Sequence, residues 1–463
     1  MRSTFSLSKI FSEFQCSSRL ALPLVAANVI IALNGFFATI MVSHLGKAAL
    51  AANSLVWTIY VTVIVFFVGV LSAISIMMSQ SFGASDDKSI SICFKQGLIM
   101  TAISAVPMML IMYFCPIILT WTGQDPEVIN TARPLFHALI SSMLPLNATI
   151  MIEQFFLGIT KSRFVMIMSI LQVPVEIFFY YVLVFGKFGF PELGLAGIGF
   201  GLALSNVVIS LGFGCYIYFS KQFRKYNLFH KWWVVDHKFL FELFRVGMPL
   251  GFLYSIEVAL FAAVAIMMGI LGTNVLAAYQ ISYQYLMVPL FIVFAISQNA
   301  TIRIGYEVGK NNRDALSLAM LVNMLLAIGL VLIFSVVYLN FPLLVIGLDI
   351  NVHAANLSSV VNSATKFLAV VAVLIVTDCI RLIGLGALRG LKDTKFPVLV
   401  SFIGFWCIAF PLAYLLGLKL NFGGVGIWWS MVIGFFVAGI MLFVRFYRLV
   451  KRVDLVKLVT KAE

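Results

Sequence analysis

Twelve stretches of 20 or more mostly apolar residues recur along the 463-residue chain, and they restrict its fold more than any other feature. Each could cross the roughly 30 Å hydrocarbon core of a membrane as an α-helix, whereas the alternating ten-residue strands of a membrane β-barrel are not seen. Hydrophobic residues make up 62% of the chain and charged residues 11%, far from the roughly 25% charged residues of soluble domains. We predict an all-α polytopic membrane protein with twelve transmembrane helices. The spans are expected at 20–43, 50–79, 92–119, 134–157, 164–186, 195–219, 242–271, 276–302, 315–340, 355–388, 397–417 and 424–444.

The formal net charge of +13 could suggest a nucleic-acid or acidic partner, but the positions of the basic residues indicate membrane topology instead. If the N-terminus is cytoplasmic, most Lys and Arg residues fall in inner loops and in the C-terminal tail. The predicted outer loops hold few basic residues, namely Lys47, Arg133, Lys187, Lys366 and Lys419. This asymmetry follows the positive-inside rule. We expect both termini in the cytoplasm, the chain in the cytoplasmic (inner) membrane, and no nucleic-acid partner.

The chain contains one internal repeat with a constant offset over its first part. Arg19-Leu-Ala-Leu-Pro23 returns as Arg245-Val-Gly-Met-Pro249, 226 residues later, and Gly83 and Gly309 differ by the same 226. Six spans per half is an even number, so both halves enter the membrane from the same side and form a parallel repeat, an arrangement found in transporters. The longest polar inner loop separates the halves. The predicted domains are an N-terminal lobe at 1–219, a cytoplasmic linker at 220–241, and a C-terminal lobe with the cytoplasmic tail at 242–463.

Two acidic residues lie near the middle of predicted spans in the second half. Glu257 is 12 residues after Arg245 and 14 before Leu271, which places it about 18–21 Å from either end. Asp378 is similarly central in the tenth span. A carboxylate at that depth is costly and usually faces a bundle interior or a wet cavity. If the two acids share one pocket, they could exchange one cation for another, with Glu257 and Asp378 as ligands if the cation is Na⁺. The alternative is two unrelated acids, each satisfied by local donors.

Arg381 lies one helical turn after Asp378 and can reach its carboxylate. The pair could be a structural ion pair, or a gate that opens when the ion or the substrate arrives. Tyr254, three residues before Glu257, is a candidate neighbour of this site. Two amides of the eighth span, Gln280 and Gln284, are further candidates, although all three could equally be ordinary packing or hydrogen-bonding residues.

The first half also carries an acid at mid-depth, Glu176 in the fifth span. A carboxylate that faced lipid would be costly, so we expect Glu176 to face an interior cavity. The other residues predicted for a polar patch in the N-terminal lobe are Asn34, Thr39, Gln172 and Asn206.

The motifs of common enzymes and metal sites are not found in the sequence. There is no HExxH, GxSxG or GxxxxGK[ST], and the five His and six Cys residues are scattered without ligand spacing. We predict that the protein is not an enzyme and has no cofactor. Without a nucleotide site, transport would be driven by a gradient of Na⁺ or H⁺.

Eight segments in a fixed order point to a known family. They are LALPL (20–24), SHLGKAALAANSL (43–55), GITKSR (158–163), FGKFGFPELGLAGIG (185–199), VGMPLGFLYSIEVALF (246–261), LGTNVLAAYQI (271–281), LGALRGLKDTKFP (385–397) and GGVGIW (423–428). In these segments the chain resembles the multidrug and toxic compound extrusion (MATE) family, and within it the bacterial NorM-like branch. The resemblance implies two pseudo-symmetric six-helix bundles, alternating access, and export of organic cations against inward Na⁺ or H⁺.

The resemblance also bears on individual residues. Glu257 and Asp378 match the acids of the seventh and tenth spans in the NorM-like branch, and together they look like its cation site. The acid expected in the first span is missing, since Phe37-Ala38-Thr39 stands there. Glu176 stands where relatives often carry Asn, and we hypothesise that it supplies the negative charge absent from the first span. Arg381 occupies a position that is often Gln, which leaves the choice of ion open.

The expected function is a cation-coupled antiporter that exports amphipathic, cationic organic compounds across the cytoplasmic membrane. Its partners would be small-molecule substrates and membrane lipid, and we expect a monomer. One alternative within the same superfamily is a flippase for lipid-linked precursors. Another is a receptor or assembly factor that transports nothing.

Overall fold

The computed structural model describes residues 7–231 and 233–460, and only the backbone of residues 7, 31–37 and 355. The described chain is all-α and contains no strand. Seventeen α-helices follow one another: α1 Leu7–Ser43, α2 Lys47–Leu71, α3 Ala73–Gly83, α4 Asp87–Trp121, α5 Pro126–Gly158, α6 Ser162–Phe185, α7 Ala196–Phe219, α8 Lys221–Arg224, α9 His237–Ile270, α10 Thr273–Gly309, α11 Arg313–Asn340, α12 Pro342–Ile346, α13 Ser358–Gly390, α14 Lys395–Phe402, α15 Phe410–Ala413, α16 Gly423–Arg452 and α17 Leu455–Leu458.

Eleven helical stretches among the described residues are long and apolar enough to cross a membrane. They coincide with the last eleven predicted spans. The second is formed by α2 and α3 together, and the eleventh predicted span, 397–417, is a continuous helical stretch, Lys395–Lys419, with wide π-helical turns at Ile403–Ala409 and Tyr414–Lys419. The first predicted span, 20–43, lies within the 37-residue α1. The all-α membrane fold is therefore confirmed, while the count of twelve spans stays a prediction.

Helix starts follow local capping chemistry. The side chain of Asp86 accepts a hydrogen bond from the Ser89 amide at the start of α4, and Asn312 caps α11 in the same way through Ala315. Gly46 and Gly272, which are equivalent in the predicted repeat, precede α2 and α10 with φ of 100° and 120°. Both copies of the repeat therefore use a glycine at the same turn, because a side chain is strained at such φ values.

The chain divides into two compact units, and the divisions after Ala21 and Gly251 fall inside α1 and α9. One unit contains Leu22–Gly251, and the other contains the residues up to Ala21 together with Phe252–Leu458. We call them the 22–251 unit and the 252–458 unit. The first turns of α1 thus belong to the 252–458 unit, and the first turns of α9 belong to the 22–251 unit. The predicted lobe and linker boundaries at 1–219, 220–241 and 242–463 stay predictions.

Helix α13 is the central helix of the 252–458 unit, where it packs against α10, α11 and α16. Its approach to α10 is close because Gly386 has no side chain: a Cβ there would collide with the carbonyl oxygen of Ser297. Thr301 donates a hydrogen bond of 3.0 Å to the Gly386 carbonyl across the same contact. This packing fixes the rotation of α13 about its own axis, and with it the direction in which Asp378 and Arg381 point.

Candidate functional site

Three charged side chains meet in the 252–458 unit, and we call them the Arg381 cluster: Glu257 on α9 with Asp378 and Arg381 on α13. Arg381 Nη2 donates to Glu257 Oε1 over 2.7 Å, and Nη1 donates to Oε2 over 3.3 Å. Its Nε donates to Asp378 Oδ1 over 2.5 Å. The structure thus brings both predicted acids to one guanidinium.

Arg381, at the centre of the cluster, is surrounded by aromatic side chains. Arg381 is fully buried, and its guanidinium carbon lies 5.1 Å and 5.0 Å from the ring centres of Phe405 and Phe435. Both distances are within the range of cation–π attraction. Buried charges persist only when they are paired and hydrogen-bonded, which explains why one Arg holds two acids here.

The charges of the Arg381 cluster do not balance. With both acids ionised, two negative charges face one positive charge, which leaves a net charge of −1. Asp378 Oδ2 is buried and has no hydrogen-bond partner among the described residues. Among the described residues the cluster therefore has one open acceptor atom, and it carries an excess of one negative charge when both acids are ionised.

Of the three predicted neighbours of the Arg381 cluster, Tyr254 is buried, whereas Gln280 and Gln284 are exposed. Tyr254 is buried, and its ring lies 4.9 Å from the guanidinium carbon of Arg389, a residue that sequence reasoning had not singled out. Gln280 has an exposed side chain, and Gln284 donates to Asp349 over 3.4 Å. Neither amide has a described hydrogen bond to Glu257 or Asp378.

The 22–251 unit buries Glu176 completely. Gln172, one turn earlier on α6, donates to Glu176 Oε1 over 2.7 Å, while Oε2 has no partner among the described residues. Tyr60 and Tyr180 lie close enough to the carboxylate to interact with its charge. No Lys, Arg or His of the described residues forms an ion pair with Glu176, in contrast to the acids of the Arg381 cluster.

Of two further residues in the predicted N-terminal patch, Asn206 and Asn34, the structure describes the side chain of Asn206. Asn206 is fully buried; its amide donates to Leu202 O in its own helix, and its Oδ1 has no described partner. The side chain of Asn34 lies outside the described residues. Ala38, where the family resemblance places an acid, packs in the same buried cluster as Tyr60 and Tyr180, the two tyrosines beside Glu176.

A second buried ion pair was missed from the sequence. Arg303 on α10 binds Glu13 on α1 through Nε–Oε1 at 3.0 Å and Nη2–Oε2 at 2.6 Å, and Glu307 lies 3.3 Å from the same Nη2. The spacing of Arg303 and Glu307, four residues apart near the end of a span, was a usable signal. No such signal marked Glu13, because its partner is 290 residues away in the sequence.

Eleven helices among the described residues are long and apolar enough to cross a membrane, and both units carry acids within them, which defines a multi-pass helical membrane protein. The MatE family model matches residues 23–182 and 249–415, which is well over half of the chain. The chain belongs to this family. Both matched regions contain acids described above: Glu176 in the first, and Glu257 and Asp378 in the second.

Similar proteins cover nearly the full length of the chain. A probable multidrug resistance protein NorM of Bradyrhizobium diazoefficiens is 30% identical over 445 residues, 95% of this chain and 94% of the relative. A protein of the same name from Brucella suis is 27% identical over 438 residues, 94% of this chain and 93% of the relative.

Solved structures share the fold at lower identity. A crystal structure of a MATE in the bent conformation superposes with a TM-score of 0.86 at 18% identity, covering 97% of both chains. The eukaryotic MATE transporter AtDTX14 superposes with a TM-score of 0.79 at 20% identity, covering 97% of this chain and 98% of that one.

Proposed function

We propose that this protein is a cation-coupled antiporter that exports amphipathic organic compounds by alternating access, with Na⁺ or H⁺ as the coupling cation. Relatives named as multidrug resistance proteins cover 94% and 95% of its length, which supports the export of drug-like compounds. The proposed location is the cytoplasmic membrane, with both termini inside, as the distribution of basic residues indicates.

The observation that carries the coupling proposal is that two carboxylates share one guanidinium in the Arg381 cluster, which has a net charge of −1 when both acids are ionised. One monovalent cation, either Na⁺ or a proton, would neutralise the residual charge of −1, and Asp378 Oδ2 is the open acceptor for it. Arg381 then acts as a fixed cation that keeps two acids together and limits the site to one additional charge. A coupling ion must bind one facing state more tightly than the other, or it drives nothing.

Glu176 is proposed as a second coupling group, in the 22–251 unit. Its carboxylate is buried, has one open oxygen, and faces only neutral donors among the described residues. Because a buried carboxylate without a cation is costly, a proton or Na⁺ is the natural partner. Glu176 would thereby take the role of the acid that is missing from the first span.

The test is dye efflux from cells and proteoliposomes in which the Na⁺ gradient and the pH gradient are collapsed in turn. Glu257→Gln, Asp378→Asn and Glu176→Gln are compared with the native chain and with Asp349→Asn, which removes an exposed acid outside the spans. We expect efflux to fail in the first two variants and to lose its dependence on one gradient in Glu176→Gln, while the Asp349 variant behaves as native.

The same assay separates the alternatives. Normal efflux in Glu257→Gln and Asp378→Asn would remove the assignment of the cation site. Normal efflux and pH dependence in Glu176→Gln would remove the second coupling group. An absence of gradient-dependent flux of any dye by the native chain would favour a flippase or a non-transporting receptor.

A further inference from the structure

Residues 220–241, which we call the linker segment, connect α7 to α9 within the 22–251 unit, and they are strongly basic. The segment carries a single acid, Asp236, whose Oδ1 accepts a hydrogen bond of 2.9 Å from the Phe239 amide at the start of α9. Its basic residues are Lys221, Arg224, Lys225, Lys231 and Lys238. Lys221, Arg224 and Lys231 are exposed and form no ion pair with a described residue. The linker segment therefore presents positive charge that the protein itself leaves unbalanced.

The linker segment is packed against the ends of its own helices, so the direction of its side chains is fixed. The ring of Phe223 is buried and lies 5.8 Å from the ring of Phe155 on α5. The ring of Phe229 lies 5.5 Å from that of Phe94 on α4. Further along, the side-chain amide of Gln96 on α4 donates a hydrogen bond of 2.9 Å to the carbonyl oxygen of Val234. One side of the segment is thus used for packing, and the other side faces outward.

The outward side of the linker segment is also apolar. Trp233, Val234 and Val235 follow one another with 64%, 53% and 40% of their surface exposed. A run of consecutive exposed apolar residues is unfavourable in water and marks a surface that meets an apolar environment. The run comes two residues after Lys231, so apolar and basic side chains alternate on the outside of one short segment.

The position of the linker segment indicates which environment it meets. It connects two helices that are each long and apolar enough to cross a membrane. Phe219, the last residue of α7, and Phe241, in the first turns of α9, are both more than two-thirds exposed. Large apolar side chains at the ends of spans are stable against lipid. The segment thus starts and ends beside the bilayer surface, where apolar side chains reach the acyl chains and basic side chains reach the phosphates.

We infer that the linker segment binds anionic phospholipids of the adjoining leaflet. Trp233, Val234 and Val235 insert between the acyl chains, and Lys221, Arg224 and Lys231 donate hydrogen bonds to the phosphate groups. Basic clusters next to a membrane span attract anionic lipids, and each basic residue adds to the attraction. Phosphatidylglycerol has the net negative charge that this surface complements, whereas phosphatidylcholine offers only the apolar contact. The inference goes beyond the proposed export function and does not depend on it.

The experiment measures contact between the linker segment and lipid with a fluorescent label. In a chain without native cysteines, Val235→Cys carries a bimane group, and Asp314→Cys, exposed at the start of α11, carries the same group as a control. Each protein is reconstituted in mixed phosphatidylcholine and phosphatidylglycerol. A nitroxide on the acyl chain of one lipid or the other quenches the label on contact.

Two multiple variants separate the linker segment from basic charge in general. The linker variant combines Lys221→Gln, Arg224→Gln and Lys231→Gln. The matched control removes the same number of exposed basic residues at the end of α16, and combines Arg448→Gln, Lys451→Gln and Arg452→Gln. The unlabelled native chain and both variants are also melted in phosphatidylcholine nanodiscs, with and without phosphatidylglycerol.

We expect nitroxide lipids to quench the label at Val235 and to leave the label at Asp314 unquenched. At Val235 the association constant for phosphatidylglycerol should exceed that for phosphatidylcholine at least about tenfold, because three basic residues act together. The linker variant should reduce this preference to about twofold, since most of the attracting charge is gone. The α16 control should keep the preference at Val235. Phosphatidylglycerol should raise the melting temperature of the native chain more than that of the linker variant.

Several results would overturn the inference. A label at Val235 that no lipid quenches would place the linker segment in water, and cross-linking of two chains through Val235→Cys would then assign the surface to a second copy of the protein. Equal quenching by both lipids would show apolar contact without recognition of charge. An equal loss of preference in the linker variant and the α16 control would show that overall charge, and not the linker segment, attracts the lipid. None of these outcomes depends on whether the protein exports a dye.

Discussion

Arg381 joins α13 to α9 by donating two hydrogen bonds to Glu257, at 2.7 Å and 3.3 Å. The two residues are 124 positions apart in the sequence, and the guanidinium between them is fully buried. The relationship makes Arg381 a structural residue as well as a candidate part of the coupling site, and the two roles can be separated by experiment.

Removing Arg381 should destabilise the protein more than removing its partner. Arg381→Met leaves the buried Asp378 and the partly buried Glu257 without a cation, which costs about 3–5 kcal/mol in the free energy of unfolding. The double variant Arg381→Met with Glu257→Gln removes one of those charges and should recover part of the loss. Thermal unfolding in detergent, followed by size-exclusion chromatography, measures the melting temperatures of the single and the double variant. Equal melting temperatures for the native chain and Arg381→Met would contradict the pairing.

The Glu13–Arg303 pair should couple the start of α1 to α10. Glu13→Gln and Arg303→Met should each lower stability, and the double variant should lose less than the sum of the two. A coupling free energy of about 1–3 kcal/mol is expected from such a cycle, because the residues form a bidentate, buried pair. Strict additivity of the three values would show that the contact contributes nothing in the membrane.

The contact of α10 with α13 should depend on the absence of a side chain at Gly386. A methyl group there would collide with the backbone of Ser297, so Gly386→Ala should destabilise the fold by about 1–3 kcal/mol. Gly329→Ala on α11 is the control, since a Cβ at that position meets no atom within 4 Å. The control should be neutral or stabilising because Ala is the better helix former. Similar melting temperatures in the two variants would refute the packing argument.

The proposed topology predicts which loops face the cell exterior. In a variant without native cysteines, Lys187→Cys should react with an impermeant maleimide in intact cells, whereas Lys225→Cys should react only after permeabilisation. Both lysines are exposed, so a difference in labelling reports the side of the membrane. Labelling of Lys225→Cys in intact cells would reverse the orientation.

Much of the site could be predicted from the positions of acidic residues within the apolar spans alone. Glu257, Asp378 and Glu176 were recognisable because an acid in the middle of an apolar span is expensive and therefore rare. The bond of Arg381 to Asp378 followed from their spacing of three residues on one helix. The bonds from Arg381 to Glu257 could not be predicted, since the side of α9 that faces α13 is set by tertiary packing between helices distant in the sequence.

The polar neighbours were harder to predict for the same reason. Gln280 and Gln284 lie in a suitable span, but their side chains are exposed and Gln284 binds Asp349. Hydropathy gives the depth of a residue and says nothing about the side of the helix on which it lies. Glu13 and Arg389 were overlooked because each sits close to a helix end, where a charge is ordinarily solvated.

The apolar helices, the repeat and the mid-span position of each acid could be predicted from the amino-acid sequence, because they depend on local hydrophobicity and on spacing along a helix. Which charges meet became known from the folded chain alone. It pairs Arg381 and Arg303 with their carboxylates, because the partner of a buried charge depends on how helices distant in the sequence pack and rotate against one another.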